Sequence, residues 1–233
     1  MKRRDFVQIC AASAAGAALP TAATGTPLAA RSYARAKLVD ERRDPIRIGM
    51  LRVGANYVFD YPFEATPCFL LRLERPAPGG VELRTESGGL YRWDGGVGEG
   101  RSVVAYSAIC AHKMAYPTRQ VSFIGYRDAP SPVAGHGRVI TCCSDRSVYD
   151  PAAGARVVSG PAPQPLATIL LEHDAQADEL YATGTFGGEK FDEFFGKYAF
   201  RLQLEMGSRA RASIADTTVV LPLERYSAQW ARC

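Results

Sequence analysis

Histidine is scarce in this chain of 233 residues: His112, His136 and His173 are the only ones. Chemistry that needs many imidazoles is excluded. Cysteine is also sparse, at six residues, too few for a disulfide scaffold of this length. Cys68 lies in the apolar run PCFLLRL and reads as a small buried hydrophobe, while Cys143 and Cys233 have no evident role. Net charge is only +4 and scattered, which gives no footprint for nucleic acid. No G-x-G-x-x-G opens a helix, so Gly79-Gly80-Val81 and Gly95-Gly96-Val97 read as turns rather than a phosphate cradle.

What remains is an ordinary globular composition, 47% hydrophobic and 22% charged. Residues 1–30 read as an export leader, with Arg3-Arg4 ahead of an alanine-rich run and candidate cleavage near Leu28-Ala29-Ala30. The run from Phe6 to Leu19 stops at Pro20, short of the ~20 residues that span a bilayer. Membrane contact is therefore expected only if the leader stays attached. Residues 31–45 are charged, without apolar periodicity, and read as a linker or arm.

Strands are predicted at Ile46–Val53, Tyr57–Tyr61, Cys68–Leu73, Val103–Ser107, Arg138–Thr141, Thr168–Glu172, Glu179–Thr183 and Thr217–Leu223. Pro76–Gly100 reads as a loop with a hairpin, and Tyr116–Gly137 as a long insertion with no clear period. Phe191, Phe194, Phe195 and Tyr198 recur at helical spacing within Glu189–Tyr198 and predict a short helix packed on the sheet. Trp230 is expected to dock on this chain or on a neighbouring subunit. The fold class predicted is mainly β: an antiparallel sandwich with a small inserted subdomain and a C-terminal helix and strand extension.

The informative stretch is Val103–Pro163. It holds Cys110-Ala-His112 and, far down the chain, Cys142-Cys-Ser-Asp145. This is how one iron–sulfur centre is held between two loops, each offering a thiolate and one further ligand. The same four residues also suit a single zinc ion. Cys143 or His136 are alternative donors to Asp145.

The surrounding residues resemble the two cluster-binding loops of Rieske [2Fe–2S] proteins. Cys110 and His112 match the first loop; Cys142, Ser147, Tyr149 and Asp150 match the second; Gly160-Pro161-Ala162-Pro163 matches the proline-rich loop that covers the cluster. The resemblance implies a Rieske domain over 46–186, a cluster-binding subdomain at about 106–164, and a C-terminal extension over 187–233. Upstream, GANYVFDYPFEATPCFLLRL and GGVGEGRSVVAYSAIC are similar to the small subunit of arsenite oxidase. In this register the metal ligands are Cys110, His112, Cys142 and Asp145, with Ser147, Tyr149, Arg146 and Pro161 around the cofactor. Asp145 replaces the family's second histidine, Arg146 its neighbouring glycine, and Ala115 and Ser144 stand where its inter-loop disulfide belongs.

A His₂ Rieske centre has a potential of roughly −150 to +300 mV. A carboxylate ligand adds negative charge, so a lower potential and a weaker pH dependence are expected. With one histidine gone, quinol chemistry is disfavoured and a single-electron relay is the expectation, with His112 as the exit edge. The resemblance implies a periplasmic electron-transfer subunit rather than a stand-alone catalyst. Its partner would be a molybdenum-containing large subunit or a cytochrome c. The competing expectation is a cluster-free Rieske-fold subunit with a structural or binding role.

Overall fold

A computed structural model describes residues 26–233. The leader reading falls almost wholly on residues outside that range. In chain order the strands are β1 (Arg31–Val39), β2 (Tyr57–Asp60), β3 (Pro67–Arg72), β4 (Val81–Arg84), β5 (Leu90–Trp93), β6 (Val103–Ser107), β7 (Val121–Ser122) and β8 (Ile124–Arg127). They continue with β9 (Val139–Cys142), β10 (Ser147–Asp150), β11 (Arg156–Ser159), β12 (Thr168–Asp174), β13 (Glu179–Phe186), β14 (Asp216–Val219), β15 (Leu221–Pro222) and β16 (Gln229–Trp230). The helices are α1 (Lys190–Lys197), α2 (Ala199–Met206) and α3 (Leu223–Tyr226). The mainly β class with a short C-terminal helix, expected from the sequence, is what the structure shows.

An eight-stranded sheet, ordered β14-β1-β13-β12-β6-β3-β2-β15, forms the body. β3 and β6 lie near its centre and pair antiparallel from Cys68↔Ser107 to Arg72↔Val103. Their near-continuous apolar sequence follows from burial on both faces. Cys68, Leu70, Val103 and Ala105 point into one core, and Phe69, Leu71, Val104 and Tyr106 into the other. The first core is closed by α1 and α2 through Phe191, Phe194, Phe195 and Leu202. The second is closed by the β4–β5 hairpin and by a four-stranded sheet, β11-β10-β9-β8, which carries the second candidate ligand loop.

The α1 face predicted from the phenylalanine spacing is the face that is buried. Each such phenylalanine contributes about 2 kcal/mol of burial. Among them, Phe194 is fully buried and meets Tyr116 edge-on at 4.9 Å, so the helix braces the segment that follows the first ligand loop.

Three local expectations need correction. Residues 31–39 are not a linker but strand β1, antiparallel to β13 and parallel to β14. Its charge is neutralised across strands: Arg35 pairs with Glu172 and stacks on Tyr181, and Lys37 pairs with Glu179. Ile46–Val53 is not a strand; it contains a 3-10 turn at Ile48–Met50, and Val53 touches the sheet only through a bridge to Arg72. Thr217–Leu223 is broken at Val220 into two strands that serve different neighbours, β14 on β1 and β15 on β2.

Trp230 docks on its own chain. β16 pairs parallel with β7, and the indole lies on Gly125, where an added Cβ would stand 2.8 Å from Nε1. Arg127 donates to the Ala231 carbonyl at 2.8 Å. Cys143 and Cys233, for which the sequence offered no role, form a disulfide.

Candidate metal centre

The two ligand loops share one backbone device. Met114 N donates to Cys110 O at 3.0 Å, and Arg146 N donates to Cys142 O at 2.8 Å. Each loop is thus a single closed turn opened by its cysteine. Each ends on a left-handed residue, Met114 at φ 57° and Arg146 at φ 64°. That conformation favours glycine and costs other residues roughly 1–2 kcal/mol. Local sequence does not favour these turns, so the flanking strands must hold them. β6 leads into the first loop, while β9 enters and β10 leaves the second, paired as Cys142↔Ser147.

The loop tips meet. Cys110, Cys142 and Asp145 place one donor atom each within 4.8 Å of one another. Cys110 and Cys142 are fully buried. Asp145 faces inward: its Oδ1 accepts from Ser147 N at 3.0 Å, and its Oδ2 lies 3.2 Å from Cys110 Sγ and 3.1 Å from His112 Nδ1. The Asp145 side chain is 2% exposed and that of His112 is 34% exposed. Of the four sequence-predicted ligands, only the imidazole reaches solvent to that extent.

Protonation follows from these contacts. Burial works to raise the Asp145 carboxyl, but the Ser147 amide and the two thiols outweigh it, and the group is held below its ordinary range. The Cys110 thiol is also lowered, chiefly by a hydrogen bond from Cys142, against the opposing effect of burial. Tyr149 and the backbone amides of His112 and Lys113 add to that. Cys142, the donor in that bond to Cys110, is pushed the other way by the same contact and by burial, so the two buried sulfurs share a proton in the absence of a bound group. Thiolates with an imidazole and a carboxylate suit a transition metal.

A second observation fits a bound group. Ser147 Oγ is buried and, among the described residues, has no hydrogen-bond partner. A buried hydroxyl left unpaired costs about 1–3 kcal/mol, and this one sits beside the ligand loop. Tyr149 Oη accepts from Ala111 N at 3.2 Å and lies 3.3 Å from Cys110 Sγ. Its single proton is therefore free for the sulfur. Ser147 and Tyr149 thus each have a hydroxyl proton without a committed acceptor, and the donor set fits an iron–sulfur group.

The other predicted residues fare differently. Arg146 is exposed and, among the described residues, forms no ion pair with Asp145, whose Oδ2 lies against His112 Nδ1 instead. Pro161 is exposed as well. The contact in that loop is made by Gly160, at φ 91°, where a Cβ would stand 2.5 Å from Arg146 O and 2.6 Å from Ser147 Cα. The loop thus presses backbone against the second ligand turn. His136 is exposed and near the Gly137 carbonyl, outside the ligand cluster. Cys143 is in its disulfide and so is no substitute for Asp145.

No family model matches the chain. Among solved structures, the chain is similar to the soluble domain of Rieske protein II (soxF) from Sulfolobus acidocaldarius, with 25% identity and a TM-score of 0.45, over 66% of this chain and 78% of that one.

Proposed function

We propose that this chain is a Rieske-type electron-transfer protein with an unusual ligand set. Cys110 and Cys142 would hold one iron of a [2Fe–2S] cluster, and His112 and Asp145 the other. When bound, the cluster supplies one-electron transfer at a potential set by its ligands and hydrogen bonds. The observation that carries the reading is the convergence of two buried thiols and an inward carboxylate, with His112 Nδ1 3.1 Å from that carboxylate.

Each residue then has a separable task. Ser147 N fixes the Asp145 carboxylate through Oδ1, leaving Oδ2 for the site. Tyr149 offers its proton to Cys110 Sγ, and Ser147 Oγ is a further donor in want of an acceptor; both favour added negative charge. His112, a third exposed, is the edge through which a partner makes contact. The chain would relay single electrons between a partner oxidoreductase and a carrier such as a cytochrome c. A molybdenum-containing large subunit is the partner suggested by the upstream resemblance, and the twin arginine suggests a periplasmic setting.

The test is iron and acid-labile sulfide in the anaerobically purified protein, with electron paramagnetic resonance after dithionite reduction. Two irons and two sulfides per chain with a Rieske-like signal are expected. A colourless protein with neither would leave a structural or binding subunit. A second reading, one metal ion on the three mutually close donors, is favoured by their compactness. It predicts one zinc and no sulfide.

A further inference from the structure

On the sheet side of the first ligand loop, a cleft of about 690 Å³ opens between the end of β2, the 116–120 segment, α2 and β14. Its volume is that of a site for a small organic molecule. Its polar groups divide into buried and exposed ones. Deep in the cleft, Asp60 Oδ1 and Tyr116 Oη are buried and, among the described residues, have no hydrogen-bond partner. Native interiors rarely leave two such atoms unpaired along one cleft. At the rim, Arg201 and Arg209 are committed to Glu205 and Glu64. Arg43 and Arg119 have no carboxylate partner among the described residues: Arg43 donates to Thr217 Oγ1, and Arg119 lies 4.7 Å from the centre of the Tyr226 ring. The lining also includes apolar side chains, among them Leu202, Met206 and Ile214, and the Tyr226 ring.

We propose that this cleft binds a small aromatic organic acid bearing a hydroxyl at the end opposite its carboxylate. Arg43 and Arg119 take the carboxylate, the apolar side chains and the Tyr226 ring take the body, and Asp60 accepts the hydroxyl proton while Tyr116 donates to its oxygen. An inorganic anion would satisfy only the rim and would leave the two deep atoms unpaired. A neutral phenol would satisfy only the deep end. The site is independent of the cluster reading, since none of these residues is one of the four candidate ligands.

The experiment is titration calorimetry on the full chain at pH 8, with 4-hydroxybenzoate, benzoate and p-cresol as probes. Binding of 4-hydroxybenzoate is expected, with benzoate and p-cresol each weaker by about tenfold, the loss of one hydrogen bond to a charged group. Asp60→Ala should bring 4-hydroxybenzoate down to the level of benzoate. Because Asp60 is buried and that variant can fail to fold, the exposed rim variants Arg119→Gln and Arg43→Gln serve as the second arm. Arg43→Gln should weaken both acids and leave p-cresol unchanged; Arg119→Gln, whose charge also acts on Asp60, should weaken both acids. Equal affinity for all three probes, no binding of 4-hydroxybenzoate at millimolar concentration, or rim variants without effect would each overturn the proposal.

Discussion

Cys143, the neighbour of the buried thiol Cys142, is covalently joined to Cys233, 90 residues further on. The bond ties the chain's C-terminal segment to the second ligand loop from outside, on the side where Cys143 N also donates to Phe123 O at 2.7 Å. Where the Rieske resemblance implies a staple between the loops at Ala115 and Ser144, this chain staples one loop to its own tail. Cys233→Ser should cost about 2–4 kcal/mol in denaturant unfolding, the usual range for a crosslink closing a long loop. Reductant should destabilise the native protein to the same extent and leave the variant unchanged.

Arg146 holds a left-handed conformation, and among the described residues its exposed side chain makes no hydrogen bond or ion pair. Arg146→Gly removes the steric cost at that position and should raise stability by about 1 kcal/mol. Urea unfolding of the two proteins measures the difference directly. A loss of stability would show that the guanidinium has a partner in solution.

Asp145 carries the charge that distinguishes this site from a two-histidine one. In the cluster-loaded protein, Asp145→His should raise the midpoint potential and strengthen its dependence on pH, because a neutral, titratable ligand replaces an anion. Potentiometric titration of both proteins across pH 6–9 decides the matter. A potential already in the high Rieske range before substitution would contradict the charge argument.

Asp60 should make the protein less stable as pH rises. Burial raises its carboxyl to about 7, against the pull of Arg119 and the Tyr226 hydroxyl. The unfolded chain releases the same proton near 4. Between those values the folded state binds more protons, so this group's contribution is full below about 4 and is lost as pH climbs to about 7, at roughly 1 kcal/mol per pH unit. Asp60→Asn should flatten that slope between pH 4 and 7 in thermal or urea unfolding, with the wild-type chain as reference.

The parts of the fold that could be read from the sequence are those whose cause is local. PCFLLR and VVAYS announce strands buried on both faces, and the phenylalanine spacing announces α1. The ligand loops were legible because their residues lie close together in the chain. β1 was not, since Arg35 and Lys37 are neutralised by residues of β12 and β13, and Arg31 by Asp192 of α1, all distant in sequence. The Cys143–Cys233 bond and the Asp60–Tyr116 cleft were hidden for the same reason: each exists only once remote segments have met. The inward direction of Asp145 depends on a bond to Ser147 N, which its position alone implied but did not guarantee.

The placement of β1 has a consequence for the order of assembly. It leaves the ribosome before every other strand among the described residues, yet its sheet neighbours are β13 and β14, ending at Phe186 and Val219. β1 therefore stays without a sheet neighbour until β13 has been synthesised, and has both only after β14.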